Sequence, residues 1–195
     1  MSMTYELKQT SDATICKLLD SPTLIMSFIS NQPPRAKSSG FLARWFGSGK
    51  SKNEEPSEYG SIHEEGLSSS SLEKAWHGLH FLFTGTAWEG EKPANFLVAG
   101  GTEVGAVDVG YGPARAYTSG EVASIAAFLE TIDEMKLRSR FNGDRMMELE
   151  IYPTIWDRSQ EEDDTQGYLL EYFAELVSFV NATCTRRYGM VTYLG

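Results

Sequence analysis

Over residues 3–8 apolar and polar positions alternate, with Met3, Tyr5 and Leu7 set against Thr4, Glu6 and Lys8. A period of two predicts a half-buried strand. From Ser11 the period lengthens, and Ile15, Leu18 and Leu19 share one side of a predicted helix. Ser21-Pro22 restarts the chain, because serine caps and proline suits the first helical position. Leu24, Ile25, Phe28 and Ile29 then form the apolar side of a second helix, which Asn31-Gln32-Pro33-Pro34 ends. Ser70 and Glu73 spell a capping box ahead of Leu72, Ala75, Trp76, Leu79 and Phe83, with Gly85 as the stop. Residues 95–99 read as a short apolar strand, Gly100-Gly101 as its turn and residues 102–104 as a return strand.

Residues 108–117 read as a glycine-rich loop. Thr118 and Glu121 form a second capping box, opening a helix with Val122, Ile125, Ala126, Leu129 and Ile132 on one side. Asp133 caps a further helix to about Arg140, which Asn142-Gly143 breaks, and Ile151-Tyr152-Pro153 is loop or strand edge. Glu161-Glu162-Asp163-Asp164 precedes a long helix over about 166–183, where acids suit the N-terminal dipole and Arg186 and Arg187 suit the far end. Leu169, Tyr172, Phe173, Leu176 and Val180 face inward, and residues 190–194 close the chain as a strand. Strands near both termini with helices between predict an α+β fold: a small mixed sheet covered by amphipathic helices.

A chain of 195 residues fits a single domain, 1–195, with enough length to bury a core. Residues 33–68 break the pattern: proline, serine, glycine and charge predict a mobile low-complexity insertion. Its first half is basic and its second acidic. Between them Phe41-Leu42-Ala43-Arg44-Trp45-Phe46 either folds back on its own domain or docks on a partner or membrane surface.

The formal net charge of −10 opposes nucleic-acid binding and favours a basic protein partner. The opening residues lack a signal-peptide pattern, and no apolar run approaches the roughly 20 residues that cross a bilayer. Cys16 and Cys184 are too few for a disulfide scaffold and read as buried small hydrophobes. The expectation is a cytoplasmic chain, monomeric or weakly dimeric, without stable membrane association, metal or cofactor.

Several motifs occur in a specific order: Lys74-Ala75-Trp76-His77-Gly78-Leu79-His80-Phe81-Leu82-Phe83-Thr84-Gly85, then Gly110-Tyr111-Gly112-Pro113-Ala114-Arg115 before a capped helix. Ile151-Tyr152-Pro153 with Ile155-Trp156-Asp157 follows, and Tyr168-Leu169-Leu170-Glu171-Tyr172-Phe173 opens the last helix. Over most of its length the chain resembles the YfbM-like family of uncharacterised bacterial proteins. The resemblance implies a compact cytoplasmic domain and a protein-binding role of the toxin-neutralising immunity type. It carries no established activity and no catalytic residues.

Candidate chemistry gathers in three places. His77 and His80 are three apart on one helix, a metal-pair spacing that lacks an H-E-x-x-H pattern, although Glu73 lies one turn earlier. The loop from Asp108 to Arg115 would let a ligand approach its glycines, with Tyr111 and the Arg115 fork beside a helix N-terminus. In outline it resembles a segment of ADP-ribosyltransferases, which implies a nucleotide-like ligand; P-loop and dinucleotide spacings are both absent. Trp76, Trp88, Tyr152, Trp156 and Asp157 complete the candidate set. Convergence on one cavity would favour a small-molecule site; scatter would favour a protein-binding module or a purely structural role.

Overall fold

The structure is a computed structural model that describes residues 2–30, 66–159 and 161–195. The predicted stop at 31–34 and most of the 33–68 insertion, with its aromatic hexapeptide, lie outside the described residues. Strand β1 (Tyr5–Thr10) leads into α1 (Asp12–Asp20), whose N-cap Ser11 accepts the Thr14 amide. A 3-10 turn with proline at its start (Pro22–Leu24) runs into α2 (Ile25–Ser30). Then come β2 (Ser69–Ser71), α3 (Trp76–Thr84), β3 (Thr102–Asp108) and β4 (Pro113–Tyr117). They are followed by α4 (Ser119–Glu130), α5 (Glu134–Arg140), α6 (Gly143–Glu148), α7 (Thr165–Thr185) and β5 (Gly189–Leu194).

The α+β architecture expected from the pattern is present, and its five strands run in the order β2-β1-β5-β4-β3 with every ladder antiparallel. The two terminal strands pair along their whole length, from Tyr5 opposite Leu194 to Thr10 opposite Gly189. Period-two alternation sends Tyr5, Leu7, Tyr117 and Met190 to one face, where they join Leu79, Leu129, Trp156, Leu169 and Leu176. Val104, Ala114, Ala116 and Val191 project to the other, against Ile15, Leu18, Ile25 and Phe28 of α1 and α2. The sheet is therefore covered on both faces. Each fully buried Leu, Ile or Phe contributes about 1.5–3 kcal/mol of transfer free energy. No described helix is long and apolar enough to cross a membrane.

The capping box at Thr118 and the cap at Asp133 form as expected, and Gly85 ends α3 in the left-handed conformation. Four local expectations fail. Ser69–Ser71 is a strand paired with Glu6, Leu7 and Lys8 rather than a helix cap, and α3 starts later, at Trp76, without a side-chain cap. Pairing with β1 satisfies more backbone than a cap could. Residues 95–99 form a buried turn, with Phe96 and Leu97 in the core, instead of a strand. The presumed glycine loop is the turn and second strand of the β3–β4 hairpin, in which the Asp108 carboxylate accepts the Gly110 and Gly112 amides. Cys16 is exposed and Cys184 half-buried, since α1 turns Ile15 and Leu18 inward instead.

Candidate functional site

Helix α3 is buried on almost every side, which places Trp76, His77 and His80 inside the protein. His77 stacks on Trp76 at 4.8 Å between ring centroids and meets the Trp88 ring at 4.4 Å. Tyr5 and Tyr152 lie 6.3 and 6.2 Å from Trp76. The Tyr152 amide donates to His77 Nδ1 at 3.0 Å, so the ring proton sits on Nε2 and is donated to the Ala87 carbonyl at 2.8 Å. Burial pushes the His77 pKa down. It pushes His80 down to about 4, helped by His77 and opposed by the Glu89 backbone and carboxylate. Both imidazoles are therefore neutral at neutral pH.

His77 is a structural tie. It bonds two separate loops, 85–91 and 151–155, through its two nitrogens. His80 Nδ1 and Trp76 Nε1 are buried without a hydrogen-bond partner among the described residues. Glu73 does not join them: it lies before the helix, exposed, with a φ of 45°. Among the described residues no group of three or more His, Cys, Asp or Glu is placed to hold a metal ion.

The nine candidate residues thus divide. Trp76, His77, His80, Trp88 and Tyr152 form one cluster, of which Trp88 is 55% exposed. Trp156 is buried behind it, its indole N–H donating to the Ile151 carbonyl at 2.7 Å. Tyr111 is exposed at the hairpin tip. Arg115 lies on β4, donating Nε to the Gly100 carbonyl and Nη1 to Glu103 at 2.8 Å, an internal pairing. Asp157 is exposed, while its neighbour Arg158 pairs with Asp163 at 2.9 Å.

Gly78 marks how tightly the cluster's underside is packed. A methyl group there would come within 2.7 Å of Leu169 Cδ2 and 2.8 Å of Trp156 Cη2. Gly78→Ala is expected to cost about 1–3 kcal/mol through overpacking, read as a lowered urea midpoint with an unchanged slope.

An open groove of about 430 Å³ lies on the surface beyond the same loop. Its lining comes from four segments: Glu73 and Lys74, Pro153 and Ile155, Asp163 and Thr165, and Tyr168 and Tyr172 on α7. The two tyrosines are one turn apart and meet edge to face at 4.8 Å. Tyr168 Oη accepts the Lys74 amide at 3.2 Å, and no acceptor for its own proton is present among the described residues. Desolvation raises Tyr168 to about 12; it also raises Tyr172, where the carboxylates of Glu73, Glu171 and Glu175 push the same way. The groove is thus aromatic, with the carboxylates of Glu73, Glu171 and Glu175 around Tyr172 and Lys74 as the cation in its lining.

Two non-glycine residues at its rim hold left-handed backbone, Glu73 at φ 45° and Thr154 at φ 59°. Such conformations cost about 1–3 kcal/mol each and persist where neighbours enforce them. At Glu73 the Tyr5 amide donates to its carbonyl and the Ser71 hydroxyl oxygen accepts its amide. At Thr154 the amide donates to the Ile151 carbonyl. The rim is a built feature. Sequence reasoning turned Tyr172 inward and gave Asp163 to the N-terminal dipole of the last helix; the available signal was two tyrosines at i and i+4 beside Glu171 and Glu175.

A family model described as a domain of unknown function, DUF1877, matches residues 1–193. The crystal structure of a protein of unknown function, YfbM from Escherichia coli, superposes with a TM-score of 0.65 at 21% identity, covering 98% of this chain and 99% of that one. At that identity the likeness shows the fold. No curated protein matches the chain.

Proposed function

We propose that this chain, which belongs to the DUF1877 family, is a protein-binding module that captures a basic protein, in the manner of an immunity protein neutralising a toxin. The observation that carries the reading is the tyrosine-lined groove bordered by Glu73, Asp163, Glu171 and Glu175. Its support is physical. A formal charge of −10 steers basic partners toward the molecule, and tyrosine supplies large rigid contact area at low entropic cost. His77 adds to it, because an imidazole whose two nitrogens are both engaged by backbone groups is poorly placed for proton transfer.

The test is rescue. Expressed with a neighbouring gene product that is toxic alone, the chain is expected to restore growth, and Glu171→Lys with Glu175→Lys is expected to abolish that rescue while the variant stays folded. Association should weaken steeply as salt rises. Absence of any toxic neighbour together with no stoichiometric partner, or rescue untouched by the charge reversal, would remove the proposal.

A further inference from the structure

Resting on that reading of the groove, we propose that it seats an arginine side chain from an extended basic segment of the partner. The guanidinium lies against the Tyr172 ring beside Glu73, and a neighbouring peptide carbonyl accepts the Tyr168 hydroxyl proton.

Three observations converge on this chemistry. Tyr168 has its oxygen engaged by the Lys74 amide while its own proton is left to be donated, and an extended peptide presents carbonyls. The opposite wall, Pro153 and Ile155, is apolar and suits a weakly hydrated planar cation better than a strongly hydrated ammonium. Glu73 supplies a lining carboxylate that no described cation pairs, whereas Asp163 already holds the Arg158 guanidinium at 2.9 Å. Lys74 is the opposing element. It lines the same groove with a like charge and limits affinity for any cation that enters.

The experiment uses the full chain and three capped heptapeptides with terminal lysines and glycine spacers, differing only at the centre: arginine, lysine or citrulline. The arginine peptide is expected to bind about tenfold tighter than the citrulline peptide, with lysine between them. Tyr172→Leu is expected to erase that preference with little change in melting temperature, because the ring is half-buried. Lys74→Gln is expected to tighten arginine binding about threefold. Equal binding of the arginine and citrulline peptides, or a preference that survives Tyr172→Leu, would overturn the inference. If toxin rescue still depends on the groove's charges in that case, only the arginine assignment falls. If Tyr172→Leu leaves rescue intact, the groove itself is the wrong surface and both fall.

Discussion

Replacing Trp156 by alanine is expected to remove about 3–5 kcal/mol of stability, the range for deleting a buried aromatic ring. The indole is 1% exposed and, with Leu169 of α7, packs against Gly78 of α3. Its N–H also donates to the Ile151 carbonyl, an oxygen that the Thr154 amide continues to satisfy, so truncation loses one further hydrogen bond worth about 0.5–1.5 kcal/mol. Domains of this kind hold only about 5–15 kcal/mol in total. The alanine variant should therefore sit close to unfolding at 37 °C. Trp156→Phe, which keeps a ring and loses the N–H, should fall between. Urea titration with unchanged slope is the check. An alanine variant within 1 kcal/mol of the parent would mean that the indole does not tie α3, α7 and the 151–155 turn together.

Acid is expected to destabilise the protein over a window set by the two buried histidines. His80 has an ordinary pKa of 6.5 and a folded value of about 4, and His77 is shifted in the same direction. A depressed folded pKa means that the unfolded chain binds a proton the native chain rejects. Their stabilising contribution is therefore complete above pH 6.5, declines as pH falls, and is lost near the folded pKa. For His80 the span corresponds to ~3 kcal/mol, with His77 adding to it. His80→Gln should make the decline between pH 6.5 and 5 shallower, whatever it does to stability at pH 7.5. Unfolding free energies that stay flat across this window, or a slope unchanged by His80→Gln, would contradict the assignment of buried neutral imidazoles. Protonation of His77 would also turn its Nδ1 from acceptor to donor opposite the Tyr152 amide, loosening the loop that carries Pro153 and Ile155.

Elements whose signals are local could be read from the chain. Helices α4 and α5 carry their own caps, Thr118 with Glu121 and Asp133, and α7 keeps a clear apolar stripe. Strand β1 shows alternation because one of its faces meets the aromatic core, whereas the central β5 is buried on both faces. Reading failed where long-range pairing outweighs local preference. Ser70 has a cap residue's chemistry but sits opposite Leu7 in the sheet. The glycines around 110 suggested a ligand loop, whereas Gly110 is needed because a side chain there would strike the Leu194 carbonyl.

The same division runs through the site. The i, i+3 spacing of His77 and His80 put them on neighbouring sides of one helix turn, and their ring centroids lie 6.5 Å apart. It could not say that backbone groups from residues 87 and 152 would occupy both His77 nitrogens. The groove was hidden for a different reason. Its lining joins residues 73–74, 153–155, 163–165 and 168–172, which only folding brings side by side.

The groove's role is tested most directly by a side-chain-resolved NMR titration of the full chain with the arginine-centred peptide at low salt. Signals of Lys74, Ile155, Tyr168 and Tyr172 should shift together and saturate, and raising the salt should reverse them. Shifts centred instead on Trp88, or on Tyr111 and Arg115 of the hairpin, would place recognition elsewhere on the molecule.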